Sequence, residues 1–306
     1  MPVSEEHFHS GFVAVIGRPN VGKSTLINTL LGQKIASVSP RPQTTRRKQL
    51  GILTQSNSQI IFTDTPGIHK PIHKLGEYMN QVAMDSLKNA DLILWLLDAS
   101  DSPTDEDRLI AEKLKKFKHL PEIILAINKI DRVNPKTVDA NRQAFQALYP
   151  TATMMEISAL RGDALPELVT KIIEMLPETP PLYDSEMVTD LFERDIVADL
   201  VREAALKELR DEIPHGLAVR VEEYKERSES LIYIAATILV EKESHKAIVI
   251  GKDGSMLKRI GSLARSEIET MNGRKIYLEL HVKVMKNWRD NEQTLKLLGY
   301  TPDPEK

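Results

Sequence analysis

Five short apolar runs punctuate the first half of the chain: 11–16 (GFVAVI), 59–63 (QIIFT), 91–97 (DLILWLL), 122–127 (EIILAI) and 153–157 (TMMEI). Each stops at a polar or glycine residue (Gly17, Asp64, Asp98, Asn128 and Ser158) and gives way to a stretch of helical periodicity. Runs apolar on both faces are the pattern of strands covered on both sides, and the amphipathic stretches 74–88, 105–118, 135–148 and 165–176 are the covering helices. The pattern predicts an α/β fold with a mostly parallel sheet. A further strand at 48–53, joined to 59–63 by the turn 55–58 (QSNS), adds one antiparallel edge.

The pattern changes at Pro177-Glu-Thr-Pro-Pro181. Three prolines so close together break a helix and favour an extended linker. Beyond it come a helix at 192–209, alternating runs at 215–224 and 230–241, and a short helix at 244–249. Gly251-Lys-Asp-Gly254 follows, then a helix at 255–271, a strand at 275–286 and a last helix at 290–298. The predicted division is a flexible N-terminus 1–10, a first domain 11–176, a linker 177–185 and an α+β second domain 186–306. A length of 306 residues suits two domains, each with its own core.

Composition narrows the chemistry. Without cysteine there is no disulfide framework, Cys-ligated zinc site or thiol nucleophile. With 41 Lys and Arg against 44 Asp and Glu, the net charge of −3 excludes a uniformly basic nucleic-acid coat but not a local patch. The apolar runs are too short to span a bilayer, and the first residues lack a signal-peptide core, so a cytoplasmic protein is expected. His7, His9, His69 and His73 lack metal-ligand spacing and acidic neighbours.

Gly17-Arg-Pro-Asn-Val-Gly-Lys-Ser24 follows a predicted strand and opens a predicted helix. Converging backbone N–H groups and the helix N-terminus there suit phosphate oxygens. Lys23 reaches the β/γ-phosphates, and the Ser24 hydroxyl ligates Mg²⁺. Asn128-Lys-Ile-Asp131 ends the 122–127 strand, on the same sheet edge. A carboxylate at Asp131 accepts from N1–H and the 2-amino group of guanine, a donor pair that adenine lacks. Asn128 is expected on the O6/N7 side, the Lys129 stem over the base, and a backbone N–H of Ser158-Ala159-Leu160 on O6. GTP is therefore expected, with ATP the alternative. Asp64 of Asp64-Thr-Pro-Gly67 is expected to hold Mg²⁺ through water, and the Gly67 N–H to sense the γ-phosphate. Within the unpatterned 40–46 segment (PRPQTTR), Thr45 or else Thr44 offers the second Mg²⁺ hydroxyl. The expected nucleotide contacts are Gly17, Arg18, Pro19, Asn20, Val21, Gly22, Lys23, Ser24, Thr25, Asp64, Thr65, Pro66, Gly67, Asn128, Lys129, Asp131, Ser158, Ala159 and Leu160.

These segments resemble the translation-factor class of GTPases, and GRPNVGKS with PQTTR resembles its Era branch. Ras-like GTPases place a water-orienting glutamine where this chain has Ile68, which can neither donate nor accept a hydrogen bond. No arginine finger is marked, although Arg18, Arg41, Arg46 and Arg47 lie near. The resemblance implies slow intrinsic hydrolysis, stimulated by K⁺ held on Asn20. Lys23, Thr45, Gly67 and Asn20 are the expected catalytic set.

In the second domain, Gly251-Lys-Asp-Gly254 between two helices resembles the GxxG loop of a KH domain, and the order helix–strand–strand–helix–helix–strand matches the bacterial type II arrangement. Residues 183–244 hold 8 Lys and Arg against 16 Asp and Glu, whereas 245–289 hold 10 against 4. The expected RNA-binding residues are Gly251, Lys252, Asp253, Gly254, Lys258, Arg259, Lys283, Lys286, Trp288 and Arg289, with Lys246 beside them. The resemblance implies a GTP/GDP switch that grips the 3′ end of 16S ribosomal RNA and acts in 30S subunit assembly. It implies a monomer, cytoplasmic with some peripheral contact at the inner face of the cell membrane. The alternative is a membrane-associated signalling GTPase whose C-terminal domain binds lipid or protein.

Overall fold

The first-half runs form β1 (His9–Ile16), β2 (Gln49–Gln55), β3 (Ser58–Asp64), β4 (Leu92–Asp98), β5 (Glu122–Asn128) and β6 (Thr153–Glu156). In this computed structural model, which describes residues 8–39, 41, 44–133 and 138–300, they make one sheet in the order β2-β3-β1-β4-β5-β6. Only β2 is antiparallel, to β3. The helices between are α1 (Lys23–Leu31), α2 (Lys74–Asp85), α3 (Asp105–Leu114), α4 (Val138–Leu148) and α5 (Leu165–Met175).

Both sheet faces are buried, and the alternation along each strand shows it. Val13, Val15, Leu94 and Leu96 join Leu26, Ile27, Leu168 and Ile172 in one apolar layer. Ala14, Ile16, Ile93 and Trp95 join Ala83, Ile110, Leu114 and Phe145 in the other. Each fully buried side chain of this size stabilises by about 1.5–3 kcal/mol, which is why these strands carry no polar face.

Two expectations about the ends of this unit are corrected. β1 starts at His9, so residues 9 and 10 are strand and not tail; residues 1–7 lie outside the described residues. The proline-rich segment is fastened to the sheet. Ser10 N–H donates to Pro177 O, Gln59 Oε1 accepts from Leu182 and Tyr183, and Ile52 N–H donates to Val188 O. Proline forbids helix but leaves carbonyls and neighbouring amides able to pair, and the compact unit accordingly runs to Asp190.

The second unit comprises Leu191–Lys306 with Ser37–Thr44 and Ile72–Tyr78. Its elements are α6 (Glu193–Glu208), β7 (Ala218–Ser228), β8 (Leu231–Val240), α7 (Glu243–Ile250), α8 (Ser255–Asn272), β9 (Lys275–Val284) and α9 (Glu292–Leu297). The sheet order is β7-β8-β9, with β7 antiparallel and β9 parallel to β8. Val197, Val201, Ile234, Ile238, Ile260, Ala264 and Ile268 fill its core. Within this unit Val38 N–H donates to Glu203 Oε2 at 3.0 Å, and Lys74 N–H to Asp290 Oδ1 at 3.1 Å.

Candidate functional site

The turn from β1 into α1 is built by residues that tolerate left-handed backbone. Asn20 has φ 64° and Gly22 φ 105°. A Cβ at Gly22 would stand 2.4 Å from Asn128 Nδ2, so only glycine lets the loop close on the 128–131 segment. Lys23 is buried, and its ammonium donates to the Gly17 and Arg18 carbonyls, each at 3.1 Å. Burial lowers its pKa to about 8; Asp64 opposes that fall and Arg18 adds to it.

Three oxygens meet beside Lys23. Ser24 Oγ donates to Asp64 Oδ2 at 2.9 Å, Thr45 Oγ1 lies 2.9 Å from Ser24 Oγ and 3.2 Å from Asp64 Oδ2, and Gln49 Nε2 donates to the same oxygen at 3.2 Å. Burial raises the Asp64 carboxyl above its ordinary pKa, against Lys23 and the three hydrogen bonds. Asp64 Oδ1 is buried without a hydrogen-bond partner. Two hydroxyls and a carboxylate with one oxygen orphaned are the donor set a small hard cation takes. Thr44 is not part of it, because its hydroxyl donates to Arg41 O. Gln49 was not anticipated; a glutamine opening a strand gives no sequence signal.

The two base-side loops hold each other in register. Asn128 is 2 % exposed; its Nδ2 donates to Val21 O at 2.7 Å and its Oδ1 accepts from Ala159 N–H at 2.9 Å. Asn128 is first a brace between three loops, with one amide hydrogen left over, and the Ala159 N–H already has an acceptor. Lys129, at φ 67°, reaches Asn20 O at 2.8 Å and Asp98 Oδ2 at 2.5 Å. Asp98 is the second residue sequence reasoning missed, although a carboxylate ending a central strand was the available signal. Burial raises its pKa, but hydrogen bonds from Lys129 and Ser100 outweigh that and hold it low. Asp131 Oδ1 accepts from Ser158 Oγ at 2.6 Å, which aims the carboxylate. Leu160 is exposed.

Around the reaction centre, Ile68 is fully buried in the core, and its N–H donates to Gly17 O. Thr65 is buried with its hydroxyl on Val15 O, which ties its loop to the end of β1. Gly67 and Pro66 are buried, with Gly67 against the Pro19 backbone. Thr25 is half-buried in the first turn of α1. Arg18 pairs with Asp98 and Asp107, and Arg41 donates to Leu209 O. Pro40, Pro42 and Gln43 of the 40–46 segment lie outside the described residues.

In the second unit, α7 turns into α8 through Gly251-Lys-Asp-Gly254 at φ 71° for Gly251 and 74° for Gly254. A Cβ at Gly251 would strike the Met256 backbone N at 2.8 Å, whereas one at Gly254 meets nothing. Lys252, Asp253, Lys258, Lys283, and Lys286 are exposed. Arg259 and Arg289 are committed to ion pairs with Glu208 and Glu241. Trp288 as a base-stacking residue is contradicted. It is fully buried, its indole N–H donates to Gly216 O at 2.9 Å, and its ring stacks on Tyr300. Such large rings contribute most when buried with the N–H satisfied.

Residues 12–129 match the 50S ribosome-binding GTPase family and residues 212–289 the KH domain family. GTPase Era of Ruminiclostridium cellulolyticum is 47% identical over 293 residues, 96% of this chain and 98% of that protein. GTPase Era of Caldicellulosiruptor saccharolyticus is 49% identical over 297 residues, with 96% and 98% covered. A crystal structure of Era with MgGDPNP and nucleotides 1506–1542 of 16S ribosomal RNA superposes at TM-score 0.92 and 42% identity, covering 97% of this chain and all of that one. An Aquifex aeolicus Era variant bound to GDP and AlF₄⁻ superposes at 0.91 and 41%, covering 96% of this chain. With GTPase and KH models matched in chain order and near-half identity end to end, the chain belongs to the Era family and hydrolyses GTP.

Proposed function

We propose that this GTPase is a switch that binds the single-stranded 3′ end of 16S ribosomal RNA through its GxxG loop and acts in assembly of the small ribosomal subunit. The observation that carries the reading is the glycine turn between α7 and α8 with exposed Lys252 at its tip, set in a helix–strand–strand–helix–helix–strand order. The structurally similar Era bound to 16S nucleotides supports it. Ser24, Thr45 and Asp64 would hold Mg²⁺, which when bound neutralises charge on the β- and γ-phosphates; Lys23 would lie on those phosphates and Asp131 on guanine. GTP binding would order the loop that carries Thr45 and so permit RNA binding, and hydrolysis would release it.

The deciding experiment is RNA binding by a Lys252→Glu, Gly254→Asp double variant. Gly254 is chosen over Gly251 because an added side chain there meets no neighbouring atom, leaving only the cost of its left-handed backbone at φ 74°, which aspartate bears better than most residues. Loss of 16S 3′-end binding with GTP turnover intact is expected; unchanged RNA binding, or loss confined to anionic liposomes, refutes it. Asn20 as a K⁺ ligand belongs to the same reading, supported by the buried Ile68 that supplies no water-orienting group. GTP turnover equal in KCl and NaCl at matched ionic strength rejects that part.

A further inference from the structure

We propose that the lysine-rich turn after α3 is a second contact surface for RNA backbone, on the GTPase unit and separate from the GxxG loop; it rests on the RNA-binding reading above. Lys113, Lys115, Lys116 and Lys118 crowd into this turn, the last three exposed. Among the described residues none of these ammonium groups pairs with a carboxylate, although other surface lysines of the same unit do, Lys88 with Asp85 and Lys171 with Glu174. The dipole of α3 accounts for a lysine or two at its C-terminal end, but Lys116 and Lys118 lie beyond the helix. Burial and the neighbouring Lys116 together lower the Lys113 pKa, so the cluster is self-repelling as it stands and a line of phosphates relieves it.

Beside the lysines runs an open groove of about 370 Å³, lined by Lys115, Lys118 and the half-buried rings of Phe117 and Tyr149. Cations along such a groove are the elements that hold a nucleic-acid backbone, while Phe117 and Tyr149, packed against the sheet core, form its wall. A bilayer would ask for an exposed apolar side chain to insert, and Phe117, Leu120 and Tyr149 are each half-buried. The turn enters β5 and Tyr149 lies just before β6, so the surface sits at the amino ends of the strands. The nucleotide loops leave the carboxyl ends, and changes here leave GTP chemistry alone.

The test is a full-length Lys115→Glu, Lys116→Glu, Lys118→Glu variant, with the three Lys→Gln changes as a charge-neutral companion and melting curves as the fold check. Binding is measured to purified small ribosomal subunits, to a short single-stranded oligonucleotide of the 16S 3′-end sequence, and to phosphatidylglycerol vesicles. We expect subunit affinity to fall about tenfold or more and its log–log salt slope to drop by about 2, at roughly 0.7 per phosphate contact for three contacts. Oligonucleotide affinity and GTP turnover stay at wild-type values. Subunit affinity within about twofold of wild type with an unchanged salt slope overturns the proposal, as does a loss confined to vesicles. A wild-type protein that binds neither RNA overturns the underlying RNA reading, a result distinct from failure of this surface alone.

Discussion

Lys23 turns pH into a readout of phosphate binding. In the free protein its ammonium is buried against two carbonyls with a pKa of about 8. Phosphates beside it favour the charged form, so the bound pKa returns to the ordinary lysine range or above. Nucleotide binding therefore takes up a proton wherever the free side chain is neutral, and affinity falls as pH rises through 8. Between about pH 7 and about pH 8.5 the linkage amounts to about a fourfold rise in Kd, and each further pH unit adds up to about tenfold. Titration of a fluorescent GDP across that range measures it, and calorimetry in two buffers of different ionisation enthalpy counts the proton. The range stops short of where guanine itself loses N1–H, which would mimic the effect through Asp131. The Lys23→Ala variant should bind weakly and without this slope. A wild-type Kd flat from pH 7 to 8.5, or a slope that survives in Lys23→Ala, refutes the assignment of Lys23 to the phosphates. The same lowered pKa makes the nucleotide-free fold gain stability as pH rises from about 8 toward 10.5, because the folded state then binds fewer protons than the unfolded chain.

Two further outcomes follow from single side chains. Asp131→Asn removes the acceptor for two guanine donors and presents an amide that suits the C2 carbonyl of xanthine. GTP affinity should fall by about 100-fold or more with a gain for XTP, and a competition assay showing GTP still preferred would count against Asp131 as the base-reading group. Trp288→Ala should cost about 3–5 kcal/mol of stability, and Trp288→Phe about 1 kcal/mol for the lost bond to Gly216, while the folded fractions keep wild-type RNA affinity within about twofold. Chemical denaturation beside RNA titration checks both; an RNA defect without a stability loss would restore a stacking role.

What the sequence made legible was what repeats locally. Strands buried on both faces announce themselves as unbroken apolar runs, and the phosphate and base loops as glycine and polar punctuation at strand ends, because the sheet topology puts all those ends on one edge. What escaped was decided by neighbours far away in the chain. That Thr45 faces Asp64 is fixed by a carboxylate 19 positions downstream, and that Asn128 braces the P-loop is fixed by Ala159 and Val21, 31 and 107 residues away. Trp288 shows the limit most plainly. An aromatic flanked by Lys286 and Arg289 has the composition of a nucleic-acid surface, and only the carbonyl of Gly216, 72 positions upstream, decides that the indole points inward. Charge pattern reports what solvent sees on average, whereas burial of one ring is settled by a single long-range partner, so predictions drawn from basic runs hold better for the lysines than for the aromatics between them.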